Sequence, residues 1–166
     1  MMSKQRTSAA PPGKGRVERG VATVRETLER RGLRLTSARE AVVRAALRLP
    51  GHFCARRLAA RVTASGHDGS LNTIYRLLPL LVQAGVVRET AIVSVHGQLF
   101  EDVFERQEHE HLRCTMCHEI VEFELPNLTE AEQRLADEHG FELTGRSYEL
   151  QGVCGSCRAC GAQEAP

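Results

Sequence analysis

Two pairs of cysteines carry the strongest chemical signal in this chain. Cys114-Thr-Met-Cys117 and Cys154-Gly-Ser-Cys157 are C-x2-C knuckles separated by 36 residues. A tight C-x2-C turn brings two thiolates within tetrahedral reach of one Zn2+, and two such turns close a four-cysteine shell with Zn–S bonds of about 2.3 Å. A dithiol redox motif would be single and would open a helix after a strand, whereas each knuckle here is expected beside a strand. A structural zinc held by Cys114, Cys117, Cys154 and Cys157 is the resulting expectation, with metal binding contributing folding free energy. The chain has six cysteines in all. Cys160 reads as a spare thiol near the tail, and Cys54 as a small buried hydrophobe or a helix cap.

Just before the first knuckle stands Glu108-His109-Glu110-His111. In an extended strand residues 109 and 111 point to the same face, so both imidazoles can reach one metal. They form a half-site that needs two or three further ligands, for which His52, Glu101 and Glu122 are candidates. Such a nitrogen and oxygen set, with no thiolate, suits Fe2+, Mn2+ or Zn2+ rather than Cu(I). The competing reading is a solvated strand with two histidines. Hydrolytic zinc chemistry finds no support: there is no H-E-x-x-H, and neither C-x2-C follows a proline as the deaminase signature asks. The chain is therefore read as a non-enzyme. His67 and His96 fall in turns, His118 belongs to the knuckle, and His139 precedes Gly140 at a helix C-terminus, where capping alone explains it.

The elements that must position these groups follow from composition and periodicity. The 166 residues are 42% hydrophobic and 26% charged, enough for one compact domain or two small ones. The net charge of +1 hides an asymmetry: residues 1–95 hold 17 Lys/Arg against 6 Asp/Glu, and residues 96–166 hold 5 against 15. A basic half suits a polyanion and an acidic half suits dications or plain solvation. No apolar run approaches the ~18 to 20 residues that cross a bilayer, and the basic, polar start lacks a signal-peptide core, so a cytosolic protein is expected.

Residues 1–16 read as a disordered basic arm. Helical periodicity then predicts a helix over 17–31, a second capped by Thr36, a third opening at Cys54 or Ala55, and a fourth capped by Ser70 and ending at Ala84-Gly85. Pro79 predicts a bend or early end of the fourth helix near Arg76 to Leu78. After Gly85 the period changes to two, with short runs at 86–89 and 92–95, a turn at His96-Gly97 and extended chain over 98–104. Helices followed by a β-ribbon describe a winged helix-turn-helix. Arg39, with Asn72, Thr73, Tyr75 and Arg76 on the polar side of the fourth helix, offers hydrogen-bonding and phosphate-binding groups to a DNA groove; Arg56, Arg57, Arg61 and Arg88 add positive charge nearby. The remainder reads as strand (112–115), strand (119–124), helix (126–139, with Pro126 near its first position) and strand (141–150). This β-β-α-β unit has too little core to stand well alone, which implies a partner chain.

Together these residues resemble the ferric uptake regulator family. The resemblance runs from Leu35-Thr36 with Arg39, through Asn72-Thr-Ile-Tyr-Arg-Leu77 and His109-x-His111-Leu-x-Cys114-x2-Cys117, to Ile120-Val-Glu-Phe123, Glu138-His-Gly-Phe141 and Cys154-x2-Cys157. It implies an α+β protein: an N-terminal winged helix with hinge (17–104), a small α/β dimerisation domain with a four-cysteine zinc site (105–157) and a tail (158–166). It implies a homodimeric, metal-dependent transcription regulator that binds a double-stranded DNA operator, usually as a repressor, with no membrane and no small-molecule substrate. His52, Glu101, His109, His111 and Glu122 fall on positions resembling the family's regulatory metal site. The carboxylate at Glu101, where zinc sensors place a thiolate, favours an iron sensor, ahead of manganese or peroxide and then zinc. A further family site maps to Glu108, Glu110, Thr129 and Arg146; Thr129 and Arg146 are poor ligands, which counts against a metal there, and Arg146 could supply its own cation. The rival classes are a zinc-ribbon interaction module and a dithiol redox enzyme.

Overall fold

The computed structural model describes residues 5–6, 13–94, 96–106, 109–123, 128–144 and 148–161. In chain order the elements are β1 (Gln5–Arg6), α1 (Lys14–Glu29), α2 (Ser37–Ala46), α3 (Ala55–Ala64), α4 (Leu71–Gln83), β2 (Val87–Ser94), β3 (Gly97–Asp102), β4 (Glu110–Cys114), β5 (Ile120–Phe123), α5 (Leu128–His139), β6 (Glu149–Gly152) and α6 (Gly155–Gly161). They fall into two compact units, Ser8–Gln107 and Met1–Thr7 with Glu108–Pro166. No helix among the described residues is long and apolar enough to cross a membrane.

The unit of residues 8–107 is a winged helix around one apolar core. Val17, Val21, Val24 and Leu28 form the buried stripe of α1, and Ile74, Leu77, Leu78 and Leu81 that of α4. They pack with Val42, Leu58, Val62 and Phe53 in a single cluster. Thr36 caps α2 as expected, its hydroxyl accepting from the Arg39 N–H at 3.4 Å, which satisfies one of the otherwise orphaned helix donors. Ser70 makes no such side-chain bond at α4. The turn ahead of α4 is held close instead: a Cβ at Gly69 would stand 2.5 Å from the Ala59 carbonyl oxygen, so only glycine fits there. The end of α4 turns into the wing through Gly85 at φ 66°, with the Val86 N–H returning to the Leu81 carbonyl at 3.0 Å, as in a Schellman stop.

Several expectations are corrected here. The fourth helix does not end early near Arg76 to Leu78 but continues to Gln83. The proline removes the donor to the Tyr75 carbonyl, yet its ring lies on the exposed side while Leu77, Leu78 and Leu81 remain buried, so packing carries the helix through. α1 begins at Lys14 rather than Val17, and Gln5–Arg6 pair with Val121 and Glu122, so ordered chain lies within the stretch expected to be a disordered arm. The two runs after Gly85 are one strand with an irregularity between Glu89 and Val93; Val95 lies outside the described residues.

The other unit holds a sheet in the order β1-β5-β4-β6. β4 pairs antiparallel with β5 and parallel with β6. Residues 141–144, expected as strand, have no regular structure, and the strand occupies Glu149–Gly152 instead. Pro126 and Glu124 lie outside the described residues. The apolar core cluster lies entirely in the other unit; here Leu112, Leu135, Phe141, Leu143, Tyr148 and Leu150 are exposed.

Candidate metal centres and nucleic-acid face

The turn after β4 and the loop after β6 bring the four knuckle cysteines together. The parallel register aligns Cys114 with Gly152, which places Cys154 two residues beyond it, beside the first knuckle. One ligand atom from each of Cys114, Cys117, Cys154 and Cys157 lies within 4.8 Å of all the others, and Cys117 Sγ stands 3.8 Å from Cys154 Sγ. A tetrahedron with Zn–S bonds of about 2.3 Å has edges of about 3.8 Å, so the cluster fits zinc. The backbone N–H of Cys154 donates to Cys114 Sγ at 3.3 Å. Backbone N–H groups, those of Cys117 and then Cys154 foremost, draw the Cys114 thiol down to about 6. Hydrogen bonding to Cys154 and then Cys117 pushes the Cys157 thiol up to about 12. The second knuckle does open a helix after a strand, since Cys154 follows β6 and α6 begins at Gly155. The placement offered as a discriminator from redox motifs therefore does not hold; the convergence of four sulfurs separates the cases.

In the same unit, β4 and β5 assemble a second donor set. Their register places His111 directly opposite Glu122. The rings of His109 and His111 meet edge to face at 5.1 Å, confirming that the alternating positions share one side. His109 Nε2 is 3.9 Å from Glu122 Oε1, and that oxygen is buried without a hydrogen-bond partner among the described residues. A buried carboxylate oxygen left in this state is costly, and beside two imidazoles it is suited to a divalent cation. Of the further positions considered, Glu108 and Arg146 lie outside the described residues; Glu110 is buried on β4 and Thr129 lies in the first turn of α5.

The winged-helix unit contributes its own pair. An antiparallel bridge joins Phe53 and Phe100, each N–H donating to the other's carbonyl at 2.8 Å, which sets His52 beside Glu101. His52 Nε2 lies 3.7 Å from Glu101 Oε2, and the Arg57 guanidinium donates to the His52 carbonyl at 2.6 Å. Arg88, grouped by sequence with the DNA-facing charges, also meets a buried carboxylate: its Nη2 is 2.7 Å from Glu101 Oε1.

On α4, Asn72, Tyr75 and Arg76 are exposed on the face opposite the leucines, and Thr73 is half-buried. Tyr75 is 57% exposed, an unusual placement for an aromatic ring without a partner surface. Arg39 is half-buried and donates to the Arg34 carbonyl at 2.7 Å. Arg56, Arg57 and Arg61 are exposed on α3.

Sequence reasoning missed the contacts that tie α1 to the chain after the wing. Arg16 donates through Nη1 and Nη2 to Asp102 Oδ2 and Oδ1 at 2.8 and 2.7 Å, and Arg19 meets Glu105 through two bonds of 2.7 and 2.6 Å. Arg44 bridges Glu18 on α1 and Glu40 on α2. Only the i,i+3 spacing of Arg16 and Arg19 hinted at a common face.

A winged helix with an exposed polar face on its fourth helix, in a chain that also gathers two sets of residues able to hold a metal, fits a metal-responsive transcription regulator. The profile of the ferric uptake regulator family matches residues 30–151, and the chain belongs to that family. It is 32% identical over 135 residues to the ferric uptake regulation protein of Campylobacter jejuni, covering 80% of this chain and 85% of that protein. Among solved structures, the ferric uptake regulator of Helicobacter pylori, described as having three functional metal-binding sites, superposes with a TM-score of 0.70 at 19% identity over 93% of this chain and 97% of that one, a likeness of fold. The ferric uptake regulator of Vibrio cholerae gives a TM-score of 0.60 at 27% identity, covering 78% and 98%.

Proposed function

We propose that this regulator is an iron-responsive repressor that binds operator DNA as a homodimer. His52 and Glu101 from the winged-helix unit and His109, His111 and Glu122 from the other would together hold one Fe2+. The ion would supply positive charge that neutralises the two carboxylates and links donors belonging to separate units. The carrying observation is that each unit holds a nitrogen and oxygen donor set with no thiolate, including the buried Glu122 Oε1, which makes no hydrogen bond among the described residues. Hard oxygen donors with imidazole favour Fe2+ or Mn2+ over the softer thiolate-bound metals. The iron-named relative in Campylobacter supports iron first.

Dimerisation is supported by the exposed apolar residues of the sheet unit, among them Leu112 and Leu150 on adjacent strands, which a lone chain would leave in water. Asn72, Thr73, Tyr75 and Arg76 would enter the major groove, with Arg39 meeting phosphate. Metal and DNA then favour each other reciprocally, and a coupling of ~1–3 kcal/mol changes operator affinity about 5- to 150-fold.

The test is a mobility shift with the zinc-loaded full chain on duplexes selected from a randomised library, performed anaerobically with Fe2+, with Mn2+ and without either. Affinity should rise on Fe2+ addition; equal affinity with and without either metal overturns the proposal. A response to Mn2+ but not Fe2+ would replace iron by manganese. His109→Ala should abolish the metal response while keeping zinc and the dimer; loss of zinc would show that the two sites are wrongly divided.

A further inference from the structure

Glu101 has a fully buried side chain and lies between two backbone pairings. On one side the Phe53–Phe100 bridge delivers His52, whose Nε2 faces Oε2 at 3.7 Å. On the other, the β2–β3 register sets Arg88 directly opposite. Both Nε and Nη2 of Arg88 reach the same oxygen, Oε1, at 2.9 and 2.7 Å. One carboxylate oxygen thus meets a cation and the other faces an imidazole. A buried carboxylate requires a counter-charge, and Arg88 supplies one that cannot be deprotonated in a protein.

Resting on the reading of Glu101 as a ligand of the regulatory metal, we infer that Arg88 is a built-in cation that sets the metal threshold of the regulator. Without metal it neutralises Glu101 and keeps Oε2 aimed toward His52. With metal, Arg88 remains a like charge beside the incoming dication and competes with it for Glu101 Oε1. Both effects weaken binding, so a site with these five donors responds only at higher metal concentration than the donors alone would dictate. A merely structural ion pair predicts the reverse, because breaking it disorders the site and weakens binding.

The experiment titrates Mn2+ into the zinc-loaded full chain, with free Mn2+ read by electron paramagnetic resonance and stability by thermal unfolding. Arg88→Gln should bind Mn2+ at least about tenfold more tightly, the Coulomb effect of removing a unit charge a few ångströms from a dication even in a water-like medium. Its melting temperature should fall without Mn2+ and recover with it. Arg88→Lys, which keeps the charge, should stay near the parent affinity. Equal or weaker Mn2+ binding by folded Arg88→Gln overturns the inference. If that variant does not fold, Arg88→Met carries the same expectation, and failure of both to fold with or without Mn2+ assigns Arg88 a structural role and also overturns it. Glu101→Gln separates the underlying reading: unchanged Mn2+ affinity there means Glu101 is not a ligand, whereas weakened affinity there, with no gain in Arg88→Gln, sinks the threshold role alone.

Discussion

Replacing Arg16 by alanine tests whether α1 and the end of the wing form one cooperative unit. The Asp102 side chain is 7% exposed and the Arg16 side chain 16%, with both carboxylate oxygens bound by the guanidinium. The same guanidinium reaches the Phe104 carbonyl and lies over its ring at 5.8 Å. Removing one partner of a fully buried ion pair costs about 3–5 kcal/mol because the other charge is stranded. Asp102 Oδ1 keeps the Phe104 N–H at 3.1 Å, and water can reach the vacated position, which lowers the expected cost to about 2–3 kcal/mol. For a unit of this size that corresponds to a fall of roughly 10–20 °C in melting temperature. Calorimetry of the zinc-loaded chain measures it, and the double variant with Asp102→Ala should recover at least ~1 kcal/mol through the coupling of the pair. A fall of less than about 2 °C, the size of an ordinary surface change, would refute the reasoning and restore Arg16 to a disordered arm.

Three further outcomes are expected. Tyr75→Ala, at an exposed position, should leave stability within ~0.5 kcal/mol while weakening specific DNA binding by ~1–3 kcal/mol in mobility shifts; an unchanged operator affinity would remove Tyr75 from the recognition face. Pro79→Ala restores a donor to the Tyr75 carbonyl in the helix interior and should raise the urea midpoint, by up to ~3 kcal/mol of stability; a lower midpoint would mean that the proline is needed. Cys117→Ser should abolish stoichiometric zinc and the resistance of Cys114, Cys154 and Cys157 to alkylation, as four-sulfur coordination requires; retained zinc in elemental analysis would exclude that ligand set.

Local patterns proved legible where one short segment contains the whole cause. The leucine stripe of α4 and the cap at Thr36 depend on neighbours three or four residues apart, and periodicity finds them. Strand boundaries were harder: residues 141–144 include apolar Phe141 and Leu143 yet form no regular structure, and the strand is the segment in which Glu149 pairs with His111. Pro79 was over-weighted because its local cost is visible in sequence, whereas the buried leucines that offset it are a property of the packed core.

Sequence by itself determined that four cysteines stand in two C-x2-C knuckles, the pattern that suits one metal, and that histidine and carboxylate donors occur on both sides of the change in charge near residue 96. Residue type and short spacing suffice for that, because a C-x2-C turn and an H-x-H strand create their geometry locally. Only the tertiary structure decided which charge each arginine meets. Arg88 meets Glu101 because of the strand register, and Arg16 leaves the basic arm to meet Asp102, 86 residues away. Such pairings are chosen by backbone register and burial, which oblige an enclosed carboxylate to find a counter-charge, and neither is written in the spacing of the residues themselves.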